Sequence, residues 1–137
     1  MTYTEIDQPI TIEGVEESTI FNYFTTINQA EFEQTASLFA EEGELHAPFE
    51  KPIAGRNAIA SYLTKEAAVM QLFPQKGIKE IEGEVERIEV TGKVKTSLFQ
   101  VNVVWHFQLN PDRQIAIARI KLIASPQELL GLKRFQS

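Results

Sequence analysis

The sequence predicts an α+β fold, in which three N-terminal helices wrap a curved antiparallel sheet and a short helix follows at the C-terminal end. Apolar residues recur with helical spacing in the first part of the chain and alternate with a period of two in the second part. Helices and antiparallel strands that are segregated along a chain are typical of α+β proteins. The length of 137 residues and the apolar content of 43% suit one domain with its own core.

The first helix is predicted over residues 15–27. Its apolar stripe has members three or four residues apart, namely Ile20, Tyr23, Phe24 and Ile27. Residues 1–13 are predicted to form an arm that lies against the body of the protein. Residues 14–137 are predicted to form a single domain.

A second helix is predicted from Asn28, because Asn28 and Glu31 form a capping-box pattern. It is expected to end at Gly43. Its predicted buried residues are Phe32, Ala36 and Phe39.

A third helix is predicted over residues 57–70, after a short strand (44–49) and a loop (50–55). Glu66 lies on its inward stripe, which is unusual for a charged residue. The other members of this stripe are Ile59, Tyr62, Leu63, Ala67 and Met70.

Three long strands are predicted over residues 88–95, 101–109 and 115–122. The inward face of the second strand holds Val101, Val103, Trp105, Phe107 and Leu109. In the third strand Ala116 and Ala118 are predicted to face inward and to leave space. A final helix is predicted over residues 126–134.

Composition argues against several classes of function. The formal net charge of −6, with scattered basic residues, does not suit nucleic-acid binding. The absence of cysteine excludes a disulfide framework and a cysteine zinc site. Two isolated histidines do not suggest a metal centre. We find no membrane-spanning run and no secretory signal, so a cytoplasmic location is expected.

Tyr23 and Trp105 are the candidate binding residues, because each carries a hydrogen-bond donor at the end of a large apolar side chain on an inward face. Together they could hold one carbonyl oxygen of an apolar ligand. The same pattern fits two core residues whose donors bond to backbone carbonyls. The pattern alone leaves both interpretations open.

Two other functions are compatible with the pattern. A small-molecule isomerase or hydratase would use Glu66 as general base and Tyr23 as oxyanion donor. Asp7 in the arm and Asp112 in a hairpin turn are not placed for pocket chemistry, which argues against catalysis, so we predict no catalytic residues and no metal. Glu66 is more simply placed at the rim, paired with a cation across an interface. The remaining alternative is a dimerisation module with a filled pocket.

Five short motifs indicate a family to which the chain is similar. They are Ile12-Glu13-Gly14-Val15, Asn22-Tyr23, Pro48-Phe49 with Pro52-Ile53, Val90-Thr91-Gly92-Lys93-Val94, and Ala124-Ser125-Pro126-Gln127-Glu128-Leu129-Leu130. With these motifs the chain resembles the C-terminal domain of the cyanobacterial orange carotenoid protein, and more closely the stand-alone homologues of that domain. This family lies within the nuclear-transport-factor-2-like (NTF2-like) superfamily.

The resemblance implies an NTF2-like cone that binds a ketocarotenoid, such as echinenone or canthaxanthin, by its keto-ring end. It implies that Tyr23 and Trp105 donate hydrogen bonds to the keto oxygen. The apolar pocket is expected to be lined by Ile27, Leu72, Phe99 and Ile120. The expected function is to carry or deliver carotenoid, with photoprotective quenching of reactive oxygen as a further role.

Two positions are expected to contact partners. Glu66 matches a family glutamate that pairs with an arginine of a helical N-terminal domain, and Leu98 stands where the full-length protein has a second tryptophan. The expected partners are the carotenoid, a second copy in a homodimer that shares one carotenoid, and a carotenoid-accepting protein of the helical N-terminal-domain type. Transient membrane contact is also expected, and the final helix is expected to close over the pocket.

Overall fold

The computed structural model describes residues 10–123, which form three helices and six strands around one apolar core. The helices are α1 (Ser18–Asn28), α2 (Phe32–Ser37) and α3 (Arg56–Glu66). The strands are β1 (Phe39–His46), β2 (Ile53–Ala54), β3 (Gln71–Glu82), β4 (Val85–Lys95), β5 (Gln100–Leu109) and β6 (Ile115–Ile123). The predicted C-terminal helix and the first nine residues of the predicted arm lie outside the described residues.

The strands form one sheet in the order β2-β1-β6-β5-β4-β3. Neighbouring strands are antiparallel except β1 and β6, which are parallel. The predicted α+β class is confirmed, but the sheet is mixed rather than wholly antiparallel. A parallel pair needs a long crossover connection, and here α3 and the β3–β5 meander provide it between the two strands.

The second helix is shorter than predicted. It ends at Ser37 rather than Gly43, and the chain enters β1 at Phe39. Phe39 was predicted to be buried because of its helical spacing from Phe32 and Ala36. It is fully buried, but it points inward from a strand rather than from a helix. Pairing with Ile115 of β6 supplies the backbone partners that override the helical pattern.

Asn28 does not cap α2, contrary to prediction. It is the last residue of α1, and its side-chain amide forms two hydrogen bonds with the backbone of Leu72. Asn28 Nδ2 donates to the Leu72 carbonyl at 2.9 Å, and the Leu72 N–H donates to Asn28 Oδ1 at 2.8 Å. This pair of bonds, the Asn28 clamp, fixes the start of β3 to the end of α1.

Three further boundaries differ from the prediction. The loop over residues 50–55 contains β2, which pairs with β1. Helix α3 ends at Glu66 rather than at residue 70. Strand β3 was not predicted as an element of its own, because Pro74 and Gly77 interrupt its alternation; a register shift lies between Pro74 and Lys76.

The predicted inward face of β5 is confirmed, since Trp105 and its same-face neighbours are buried or partly buried. In β6 only Ala118 of the two predicted alanines is fully buried. A register shift between Gln108 and Leu109 turns Ile115 inward in place of Ala116.

Residues 10–13, the described end of the predicted arm, lie against the body of the protein. Ile12 is buried, and Ile10 packs against the core. The backbone of Glu13 bonds to that of Gln75 and Gly77 at the edge of the sheet. The arm therefore covers part of the β3 edge.

Candidate ligand pocket

A cavity of about 360 Å³ lies between the inner face of the sheet and helices α1 and α3. Tyr23 from α1 and Trp105 from β5 are deeply buried lining residues, with exposed fractions of 2% and 1%. Most of the remaining lining is aliphatic or aromatic. A cavity of this size and character is typical of small-molecule sites.

Packing of aromatic rings holds Tyr23 in place. Its ring meets those of Phe24 and Phe107 edge-on, with centroid distances of 5.2 and 4.9 Å. Burial, with a smaller contribution from Tyr62, raises the pKa of the Tyr23 hydroxyl well above its ordinary value. The hydroxyl therefore remains protonated and can act as a donor.

Trp105 occupies the middle of the sheet, where β5 pairs it with Val90 on β4 and Ile120 on β6. The ring of Phe24 packs edge-on against the indole, with a centroid distance of 4.7 Å and an interplanar angle of 86°. Phe24 thus contacts both Tyr23 and Trp105, and couples the positions of helix and strand.

Neither of these two donors has a protein partner within residues 10–123. The side-chain hydrogen bonds there do not include the Tyr23 hydroxyl or the Trp105 N–H, yet no side-chain nitrogen or oxygen is both fully buried and unpaired. Both side chains line the cavity, so a ligand in it can reach their donor groups. Because buried donors nearly always have partners, an acceptor is expected in the cavity.

The other predicted pocket residues also lie on this cavity. Ile27 and Leu72 are buried lining residues, Ile120 is partly buried, and Phe99 is 58% exposed near the mouth. The Asn28 clamp holds Leu72 in its position on the cavity wall.

The two predicted partner-contact residues lie on the outside of the pocket. Glu66 is exposed and lines the cavity mouth, and it takes part in no ion pair among the described residues. Leu98 is 86% exposed in the β4–β5 turn, next to Phe99. Their roles as partner contacts stay predictions.

Sequence reasoning missed part of the mouth. Phe49 and Glu50 line the cavity from the segment between β1 and β2, and Phe49 is 95% exposed with a positive φ of 64°. Tyr62 and Met70 also line it. Tyr62 and Met70 are on the predicted inward stripe of the third helix. Phe49 and Glu50 lie in a loop, which has no periodicity from which an inward position could be predicted.

A larger groove of about 470 Å³ lies on the outer face of the sheet. Its lining mixes both signs of charge, and some of these polar groups are already in contact, as are His106 Nδ1 and Glu89 at 3.2 Å. The apolar cavity, with two donors that have no partner within residues 10–123, is therefore the better candidate for a ligand site.

Residues 10–123 contain no cluster of three or more histidine, aspartate and glutamate side chains that could hold a metal ion. Among the same residues, no helix has the length and apolar character needed to span a membrane.

Comparison with known proteins gives a consistent result, although no family model matches the chain. The orange carotenoid-binding protein of Limnospira maxima is 40% identical over 128 residues, which are 90% of this chain and 40% of the relative. The solved structure of the Anabaena (Nostoc) sp. PCC 7120 orange carotenoid protein binding canthaxanthin is 36% identical, with a TM-score of 0.84. The match covers 95% of this chain and 43% of the chain in that structure.

An NTF2-like protein of unknown function from Cytophaga hutchinsonii ATCC 33406 matches the fold alone, at 12% identity and a TM-score of 0.62 over 85% of this chain and 97% of that chain. The chain spans about two-fifths of the length of the orange carotenoid-binding proteins that it matches, 40% and 43% in the two cases above. It is therefore a homologue of the C-terminal-domain region of the orange carotenoid-binding proteins, with the NTF2-like fold.

Proposed function

We propose that this protein binds a ketocarotenoid, such as echinenone or canthaxanthin, by its keto-ring end and carries or delivers it. The observation that carries this proposal is the pair of donors, Tyr23 and Trp105, that reach an apolar cavity without a protein partner in residues 10–123. Homology supports a carotenoid as the ligand, since a relative with the same fold binds canthaxanthin.

A ring ketone suits these two donors chemically. A carbonyl oxygen has two lone pairs and no hydrogen to donate, so it can accept from a hydroxyl and an indole N–H together. Each such bond contributes about 0.5–1.5 kcal/mol net. Most of the affinity would come from apolar contact, at about 25 cal/mol per Å² buried.

The apolar wall is proposed to contact the ring and the first part of the polyene. Leu72, held by the Asn28 clamp, and Ile27 are buried on this wall, while Phe99 lies nearer the mouth. A bound ketocarotenoid would supply light absorption and the quenching of reactive oxygen. The chain itself orients the ring and keeps water from the keto oxygen.

The rest of the pigment is proposed to leave the domain through the mouth. A carotenoid is roughly as long as a domain of this size is wide, so one pocket holds only one end. A second copy related by a two-fold axis would cover the other end, with Leu98 and Glu66 near the contact. Delivery to a helical N-terminal-domain-type protein, or to a membrane during transient contact, would use the same opening.

Expression in a ketocarotenoid-producing host tests the proposal, with a coloured protein as the expected result. Because a donor at the keto oxygen polarises the conjugated carbonyl, Tyr23→Phe and Trp105→Phe should each blue-shift the absorption band or weaken pigment binding. Tyr62→Phe removes a hydroxyl from the same cavity near its mouth and is the matched control. An unchanged spectrum in the Tyr23→Phe/Trp105→Phe double variant would contradict the donor pair.

An isomerase or hydratase is less well supported by this geometry. Glu66 would have to act as the base, but it is exposed at the mouth, whereas Tyr23 is buried. A module with a filled pocket is less well supported too, given the cavity of about 360 Å³. A protein that stays colourless when pigment is available would favour these alternatives.

A further inference from the structure

The mouth of the cavity carries two carboxylates that form no ion pair among the described residues. Glu50 and Glu66 both line it, and neither takes part in an ion pair within residues 10–123. Among the described residues that line the cavity there is no lysine, arginine or histidine.

Tyr62 lies at the same opening as the two carboxylates. Its side chain also lines the cavity. Partial burial raises the pKa of the Tyr62 hydroxyl, and the charges of Glu50 and then Glu66 raise it further. The two carboxylates therefore act together on one group at the mouth.

The two donors, Tyr23 and Trp105, do not by themselves exclude an anion. A hydroxyl and an indole N–H would bond to a carboxylate at least as strongly as to a ketone, because charge-assisted hydrogen bonds are stronger than neutral ones. Selectivity between neutral and anionic ligands must therefore come from the rest of the pocket.

We infer that this pocket selects neutral carbonyl polyenes and rejects polyene carboxylates, with Glu50 and Glu66 as specificity-determining residues. The inference rests on the proposed function, because it concerns the same cavity. It names the chemical class of the ligand more narrowly than the donor pair alone can.

Both orientations of an acidic polyene are unfavourable. If the carboxylate enters first, it loses its hydration beside Tyr23 and Trp105 with no cation to compensate among the described lining residues. If the ring enters first, the carboxylate stays at the mouth, where it is repelled by Glu50 and Glu66. A neutral ligand incurs neither cost.

A matched pair of ligands can test this inference, namely 4-oxoretinoic acid and its methyl ester. Both have the oxo-substituted ring of canthaxanthin, and the two have the same polyene as each other. At the far end one carries a carboxylate and the other a neutral methyl ester. Trp105 is the only tryptophan of the chain and lies on the cavity, so quenching of its fluorescence reports binding directly. At about pH 8 and low salt we expect the ester to bind at least tenfold more tightly.

Removal of the negative charges of Glu50 and Glu66 should reduce the ratio of ester affinity to acid affinity. In the E50Q/E66Q variant we expect the ratio of ester to acid affinity to fall by about three- to tenfold, and added salt should narrow the ratio in the wild type. The control variant E33Q/E42Q removes the same net charge from exposed positions that do not line the cavity, and should leave the ratio unchanged. The single variants E50Q and E66Q should give intermediate ratios, which keeps the test available if the double variant folds poorly.

The outcomes separate this inference from the proposed function. Equal binding of acid and ester by the wild type, or an unchanged ratio in E50Q/E66Q, overturns the selection by Glu50 and Glu66 but leaves carotenoid binding in place. Failure of the wild type to bind either retinoid contradicts the proposed function itself, because the ester carries the ring that the pocket is proposed to hold.

Discussion

Tyr23 joins an aromatic ring packed in the core to a hydroxyl that reaches the cavity. Phe24 and Phe107 contact the ring edge-on, an arrangement that favours one orientation of the side chain. The hydroxyl therefore points in a defined direction before any ligand arrives. Such preorganisation reduces the entropy that is lost when a ligand binds.

The ionisation of Tyr23 should make stability depend on pH in the alkaline range. The folded-state pKa is raised above the ordinary value of 10.0, so the unfolded chain loses this proton first. Stability is therefore fully present below about pH 10 and falls above it, by up to about 1.4 kcal/mol per pH unit for this one group. When the free energy of unfolding is measured by urea denaturation at a series of pH values above about 10, it should fall more steeply with pH for the wild type than for Tyr23→Phe.

Tyr62→Phe is the control for this measurement, because Tyr62 is less buried and should account for less of the slope. Equal alkaline slopes for the wild type and Tyr23→Phe would contradict the environment assigned to the Tyr23 hydroxyl.

The sequence predicted where these side chains point but not what their polar ends meet. Helical spacing placed Tyr23 inward, and alternation placed Trp105 inward, because periodicity reports the face of an element. Whether a donor is paired depends on the distance between α1 and β5 and on the side chains between them. No local pattern encodes that distance, so the sequence left the structural and the binding interpretations open.

At the scale of elements, the Asn28 clamp links two segments that periodicity treats separately. Asn28 ends α1, and Leu72 lies near the start of β3, 44 residues later. The capping-box pattern favoured a local role for Asn28, but the long-range contact with β3 prevails. The error at the end of α2 has the same cause, because pairing with β6 and not local spacing decides that Phe39 begins a strand.

Loss of the clamp should weaken both the fold and the ligand site. Asn28→Ala removes two hydrogen bonds to the Leu72 backbone and should lower the free energy of unfolding by about 1–3 kcal/mol. It should also weaken pigment binding, because Leu72 would no longer be held on the cavity wall.

Asn28→Asp separates the two bonds, because it keeps the acceptor for the Leu72 N–H and loses the donor to the Leu72 carbonyl. Gln71→Ala is the control, since its contact with the Asn28 backbone is exposed and 3.4 Å long. If denaturation of Asn28→Ala matches that of Gln71→Ala, the clamp contributes little.

At the scale of the whole molecule, apolar side chains are exposed around or beside the pocket mouth. Phe49 is 95% exposed, Leu98 is 86% exposed, and Phe99 and Leu122 are also exposed. Exposed apolar surface of this kind often marks an interaction site. A second copy with its mouth facing the first would cover these side chains together with the pigment.

Pigment-loaded protein should therefore be a dimer with one carotenoid per two chains. Leu98→Glu places charge next to the mouth and should shift the population towards monomer, measured by light scattering after size-exclusion chromatography. Ile78→Glu is the control, because Ile78 is a similarly exposed apolar residue on β3 that does not line the cavity. An undiminished dimer in Leu98→Glu, or dissociation in Ile78→Glu alone, would place the contact elsewhere.

The parallel pairing of β1 with β6 determines when in folding the pocket can exist. Residues 39–46 must wait for partners in residues 115–119, and joining segments so distant in sequence is entropically costly and slow. During synthesis α1 emerges with its aromatic stripe long before β5 and β6 are available to cover it. Only a chain that has emerged at least through β6 can form the cavity, and a nascent one exposes the same aromatic side chains to solvent instead.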